Sequence, residues 1–189
     1  TKAFKVIEQY KAVEIGNIST LTTTGEYSLN VGQENTASGN RSIAMGYRTT
    51  ASGLDSVAMG SVTTASGGFS IAIGNLTTAS GLNAMGYNTT ASGETSTVMG
   101  RFSIASGLHS TAMGDTTTAS GEASTAMGDT TEASGNYSFA AGNNTEASGT
   151  YSISAGQNNV SSADWSTSIG FNNTASGIAA LVCGQNSTA

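Results

Sequence analysis

Apolar and polar positions follow one cycle from Glu26 onward. One half of the cycle reads Ser, apolar, small, apolar, Gly, as in Ser42-Ile43-Ala44-Met45-Gly46, Ser56-Val57-Ala58-Met59-Gly60 and Ser70-Ile71-Ala72-Ile73-Gly74. The other half is polar and mostly closes on Thr-Ala-Ser-Gly, as in Thr50-Ala51-Ser52-Gly53. Glycines fall every seventh residue, from 25 to 81, from 86 to 156, and at 170, 177 and 184, with Ala163 in the one missing place. The unit is therefore 14 residues in two unequal halves, repeated about eleven times with a further partial copy. One copy is short. Four residues separate Gly81 from Gly86 where six are expected, and the loss near Leu82-Asn83 reads as a tightened turn or local bulge inside a continuing array.

Each half-unit is too short for a helix and its return, but it accommodates a strand of about 4–5 residues and a turn. Glycine is expected to supply the positive φ of that turn, a role no β-branched residue takes cheaply. Heptads are the competing explanation for a period of seven, but a glycine in every heptad would cost about 1 kcal/mol each in a helix. The predicted unit is one coil of two strands, with coils stacked as parallel strands. The column through Ala44, Ala58, Ala72, Ala84, Val98, Ala112, Ala126, Ala140 and Ser154 is small throughout. Its neighbours are mostly apolar: Ile43, Val57, Ile71, Phe139 and Ile153 on one side, Met45, Met59, Ile73, Met85, Met99, Met113 and Met127 on the other. Successive strand residues point to opposite faces, so both faces are apolar. One fills the coil. The other is a stripe larger than a monomer tolerates, and a closed cyclic oligomer is its simplest cover; the pattern alone does not fix the number of chains.

Composition narrows the picture further. Six Lys and Arg against twelve Asp and Glu give a net charge of −6, and the basic residues cluster only at Lys2, Lys5 and Lys11, so a nucleic-acid partner is not expected. No apolar run reaches the length of a membrane span. The opening Thr1-Lys2-Ala3-Phe4 is no signal peptide, and a start without methionine points to a fragment of something longer. Cys183 is the only cysteine, which rules out an intrachain disulfide. Residues 1–24 fall outside the repeat; Phe4, Val6, Tyr10, Val13 and Ile15 predict one or two strands, a cap on an array spanning 25–189.

The Ser-x-Ala-x-Gly units quoted above resemble the head repeats of trimeric autotransporter adhesins of the YadA type, over roughly residues 26–189. That resemblance implies an all-β, left-handed parallel β-roll (a β-solenoid of 14-residue coils), assembled as a side-by-side homotrimer. It also implies a non-catalytic fibre head that attaches to a surface glycan or protein receptor, on a cell-surface fibre with a virulence or attachment role. Related repeats occur in virus and phage fibres. The neck motif that usually joins such a head to a coiled coil is not found in this chain, nor is a stalk or an anchor.

Candidate chemistry is sparse. His109 is the only histidine and shares a turn column with Arg41, Asp55 and Tyr137; it reads as a surface residue, and no second histidine is available to activate any of the many serines. One histidine and one cysteine cannot make a metal site of that type. Asp115 with Asp129, and Glu132 with Glu146, form carboxylate ladders that read as solvated edges in preference to Ca²⁺ ligands. No catalytic, cofactor or metal residues are expected. The candidate ligand-binding residues are Tyr137, Tyr151 and Trp165, in one turn column of successive coils, with Tyr27 and Phe69 elsewhere in it. Such a ladder offers flat faces to sugars or protein anchors, or simply stacks on itself. Tyr47, Tyr87 and Phe171 make a sparser second column.

Two other functions compete with adhesion. A structural spacer would hold another binding tip away from a surface. An ice-binding solenoid would use the column of Thr36, Thr50, Thr64, Thr78, Thr90 and Thr118 with its neighbour Thr49, Thr63, Thr77, Thr89 and Thr117. Adjacent threonines should point to opposite faces, which weakens that reading.

Overall fold

A computed structural model describes residues 2–7, 12–17 and 21–189. All regular structure among them is β. The chain divides into two compact units, Thr1–Ala91 and Ser92–Ala189, and each is a β-solenoid. One coil of the first unit illustrates the plan. A five-residue strand, Ile43–Tyr47, leads through Arg48 and Thr49 into a two-residue strand, Thr50–Ala51, and a second turn at Ser52–Ser56 returns the chain to the next long strand. Long strands pair in parallel with long strands, Ala44 against Ala58 and Gly46 against Gly60, and short strands pair with short strands, Thr50 against Thr64. The second unit repeats the plan, with Thr111–Asp115 paired to Thr125–Asp129 and Thr118–Ala119 to Glu132–Ala133.

The N-terminal segment is in this register too. Lys2–Ile7 and Ala12–Asn17 form an antiparallel pair, and the second of them runs parallel to Leu29–Gln33 with Val13 opposite Leu29 and Gly16 opposite Gly32. Parallel pairing of the long-strand column thus reaches back beyond Gly25 to Val13. Tyr10 lies outside the described residues.

The interior is made of small side chains. Ala44, Thr49, Ala51 and Ser56 point inward and are buried, as are their equivalents in neighbouring coils. Larger apolar side chains are few inside: Leu21 in the first coil and Val98 and Val182 in the Ala44 column. The space is filled by methyls, hydroxyls and the backbone, with ladders of hydrogen bonds such as Ile43 N to Ser56 O at 2.8 Å and Thr50 N to Thr63 O at 2.8 Å. Asparagine replaces threonine in the Thr49 column at some coils and bonds fully there. The Asn159 amide donates to Ala155 O and Gly170 O, both at 2.7 Å, while its carbonyl accepts from Asn173 N at 2.9 Å. Thr49, Thr63 and Thr77 leave their hydroxyls without such partners.

The glycines act differently from the expectation. The left-handed turn positions belong to other residues: Arg48 at φ 54°, Asp55 at 54°, and even β-branched Val62 at 54° and Thr95 at 57°. Each turn of this kind is held to the next by a backbone bond, such as Asp55 N to Asn40 O at 3.0 Å, which offsets the intrinsic cost of about 1–2 kcal/mol for such a conformation. Gly46 does need a positive φ, 132°, but it lies within the strand Ile43–Tyr47 and not in a turn. Gly53 has no positive φ; it is glycine because a Cβ there would lie 1.9 Å from Gly67 O. Close approach of one coil to the next, more than turn geometry, accounts for the seven-residue glycine period.

In the short copy the turn at Ser80–Leu82 is tightened. Asn83–Tyr87 stays in parallel register with Ile71–Asn75, with Ala84 opposite Ala72. The two lost residues remove a left-handed turn position, since none lies between Leu76 and Asn88. Leu82 O accepts from Ile71 N at 2.7 Å where a serine carbonyl serves in most other coils.

Candidate functional site: the outward faces of the coils

Three outward surfaces carry chemistry, and strand alternation positions each of them. The first is the outer face of the long strands. With the Ala44 column facing in, both flanking columns face out. Ile43, Met45, Val57, Met59, Ile71 and Met85 are half-buried, and Ile73 is 38% exposed. In the second unit Met113 and Met127 are half-buried and Ile169 is 44% exposed. Between the methionine column and the column of Tyr47, the glycines leave a shallow apolar trough; at one end of the first unit it is lined by Ile15, Val31 and Tyr47.

The second surface is the stack of turns that includes His109. Its residues share nearly the same left-handed φ, so their side chains leave the coil in parallel. Tyr137, Tyr151 and Trp165 come together as one ladder: centroids lie 4.9 Å and 6.3 Å apart, planes within 8° and 2°. They are 46%, 50% and 59% exposed. The Tyr137 hydroxyl donates to Glu122 Oε1 at 3.1 Å, and that bond with the carboxylate charge holds the phenol above its usual range. Tyr27 and Phe69 do not join a ladder with each other, because Arg41 and Asp55 stand between them in the column. Those two pair instead: Arg41 Nε donates to Asp55 Oδ1 and Nη2 to Oδ2, both at 2.6 Å. The guanidinium holds the Asp55 carboxyl below the usual range by these hydrogen bonds. His109 Nδ1 hydrogen-bonds Thr95 Oγ1.

The third surface is the outer face of the short strands. The Thr49 column is buried, whereas Thr36, Thr50, Thr64, Thr78 and Thr90 face outward and are half-buried. In the second unit Glu132 and Glu146 are register partners in this outward row, beside an open concavity of about 410 Å³ also lined by Thr118, Thr130, Asn144 and Val160. Asp115 and Asp129 are register partners on the long strands. Asp115 also accepts from Arg101 Nε at 3.1 Å, and this pairing lowers its carboxyl. Among the described residues no three His, Cys, Asp or Glu side chains gather as a metal site, and no helix is long and apolar enough to cross a membrane.

The aromatic column and both carboxylate ladders were readable from 14-residue spacing. Glu122 was not, because it lies 15 residues before Tyr137. Neighbouring columns offset by one position are where such partners are found.

No curated protein matches the chain. The YadA head domain repeat (2 copies) matches residues 24–49, 51–77, 65–85, 79–103, 105–131, 119–145, 133–159 and 147–173. These matches tile most of the sequence and coincide with the two-strand coils, so the chain belongs to the YadA head domain repeat family.

Proposed function

We propose that the protein is a non-catalytic fibre head that attaches to a cell or matrix surface as a homotrimer of parallel, side-by-side β-rolls. The observation that carries this reading is the apolar outer face of the long strands. Methionine, isoleucine and valine lie there in register, coil after coil, over a surface that the narrow interior cannot take in. A second and third copy bury it while leaving the turn stacks facing outward for a receptor. Membership of the YadA head domain repeat family supports the role and is consistent with an extracellular, surface-exposed setting. Residues 1–24 serve in this reading as the closing segment of the array.

The ice-binding alternative loses its paired threonine rows, because one of the two is buried. A spacer is distinguished by experiment. Purified protein coated on beads is expected to attach to cultured epithelial cells or matrix-coated wells above an inert-protein control. Absence of attachment to every such surface would reduce the protein to a spacer.

A further inference from the structure

The turn stack of the second unit has a gap one ring wide. The column reads His109, Ala123, Tyr137, Tyr151, Trp165, with φ of 58°, 50°, 58°, 57° and 57°. Backbone bonds lock the turns together: Ala123 N to Leu108 O and Tyr137 N to Glu122 O, both 2.7 Å. From Tyr137 onward the ring faces are covered by one another. Ala123 carries no ring, so the Tyr137 face turned toward it is uncovered. His109 and Tyr137 are two strand spacings of about 4.8 Å apart, roughly 10 Å, which is the room one further ring would occupy.

We infer that this slot binds a single neutral pyranose ring of a surface glycan, an assignment that rests on the adhesive reading above and names its ligand class. Ala123 is the floor, Tyr137 is one wall and His109 stands across the gap. Leu108, next to His109 in sequence and in the column of Glu122, is exposed. The rim is polar. Glu122 holds the Tyr137 hydroxyl through Oε1, which leaves Oε2 to accept from a sugar hydroxyl, and Thr95 orients the imidazole through Nδ1, which turns Nε2 outward. A pyranose has C–H faces for the aromatic wall and hydroxyls around its edge for that rim. An aromatic side chain of a protein partner would use the wall but gain nothing from the carboxylate. The acidic rim and the net charge of −6 disfavour sialic and uronic acids.

The test is an NMR titration of the whole chain with methyl β-D-galactopyranoside and methyl β-D-glucopyranoside, following the His109 and Tyr137 ring signals, with attachment to cells measured in parallel. At least one neutral glycoside is expected to shift both rings with saturation. Ala123→Tyr, which extends the ladder into the slot, is expected to fold normally and weaken binding at least tenfold; Tyr137→Ala is expected to weaken it similarly. The inference is overturned if neither glycoside shifts the rings, if Ala123→Tyr binds as well as the parent, or if N-acetyltryptophanamide or methyl α-N-acetylneuraminate binds there in preference. Attachment that persists in Ala123→Tyr while the glycosides fail removes the slot and leaves the adhesive reading standing. Glycoside binding without any surface attachment does the reverse.

Discussion

At the scale of single residues, glycine is required wherever one coil's backbone presses on the next. Gly53→Ala places a methyl 1.9 Å from Gly67 O, far inside van der Waals contact, and neither backbone can retreat without breaking its ladder. We expect a loss of at least ~2 kcal/mol, in the range of severe core strain, read as a lower midpoint in urea unfolding followed by circular dichroism. By contrast, Gly68→Ala meets nothing within 4 Å and should leave the midpoint nearly unchanged. The buried Thr/Asn column gives a prediction of opposite sign. In Thr63→Asn the amide would reach the carbonyls of Met59 and Gly74 and accept from Thr77 N, as Asn159 does at its own position. A gain of about 1 kcal/mol is expected, and a loss of about 2 kcal/mol for Asn159→Ala, since buried backbone groups would lose their partners. The ion pairs act with pH. Asp55 and Asp115 have folded pKa values depressed by Arg41 and Arg101. Their contribution is therefore present above the ordinary carboxylate range, about 3.9, and is lost as pH falls through the lower folded values. Thermal melts between pH 5 and pH 2 should show a steeper acid decline in the parent than in Asp55→Asn, and added salt should blunt the difference.

At the scale of elements, the coil was legible because its period is written twice, in glycine and in the small Ala44 column. Alternation put adjacent columns such as Thr49 and Thr50 on opposite faces; which of the two is inward came from the structure, where Thr49 is buried and Thr50 half-buried. Two features were not legible. The left-handed turns are occupied by Val62, Thr95 and Trp165, residues whose local preference is against that conformation; inter-coil backbone bonds overrule it, and such bonds cannot be seen in a single unit. The second strand is two residues long, as at Thr50–Ala51, where a strand of four or five was expected, because each half-coil spends its remaining residues on turns. The aromatic ladder was visible as a column, but whether its rings stack or splay depends on χ angles that spacing does not encode. The gap at Ala123 became meaningful only once Tyr137, Tyr151 and Trp165 were seen to cover each other.

At the scale of the whole molecule, the proposed assembly rests on the thin interior. A coil whose interior is filled mostly by alanine, serine, threonine and asparagine has to place its larger apolar side chains outside, and the register of Met45, Met59, Met113 and Met127 makes those side chains continuous within each unit. Burial of apolar area at ~25 cal/mol per Å² makes a second copy of the same surface the natural cover. A charge in that row should therefore act on assembly before it acts on the fold: Met59→Glu is expected to shift the protein toward single chains while circular dichroism still reports β-structure. The central claim is tested most directly by the solution mass of the unmodified protein, measured by light scattering across a hundredfold range of concentration. The account predicts three times the chain mass of 18.8 kDa; a mass that stays at that of one chain, with the methionine rows open to solvent, would contradict it.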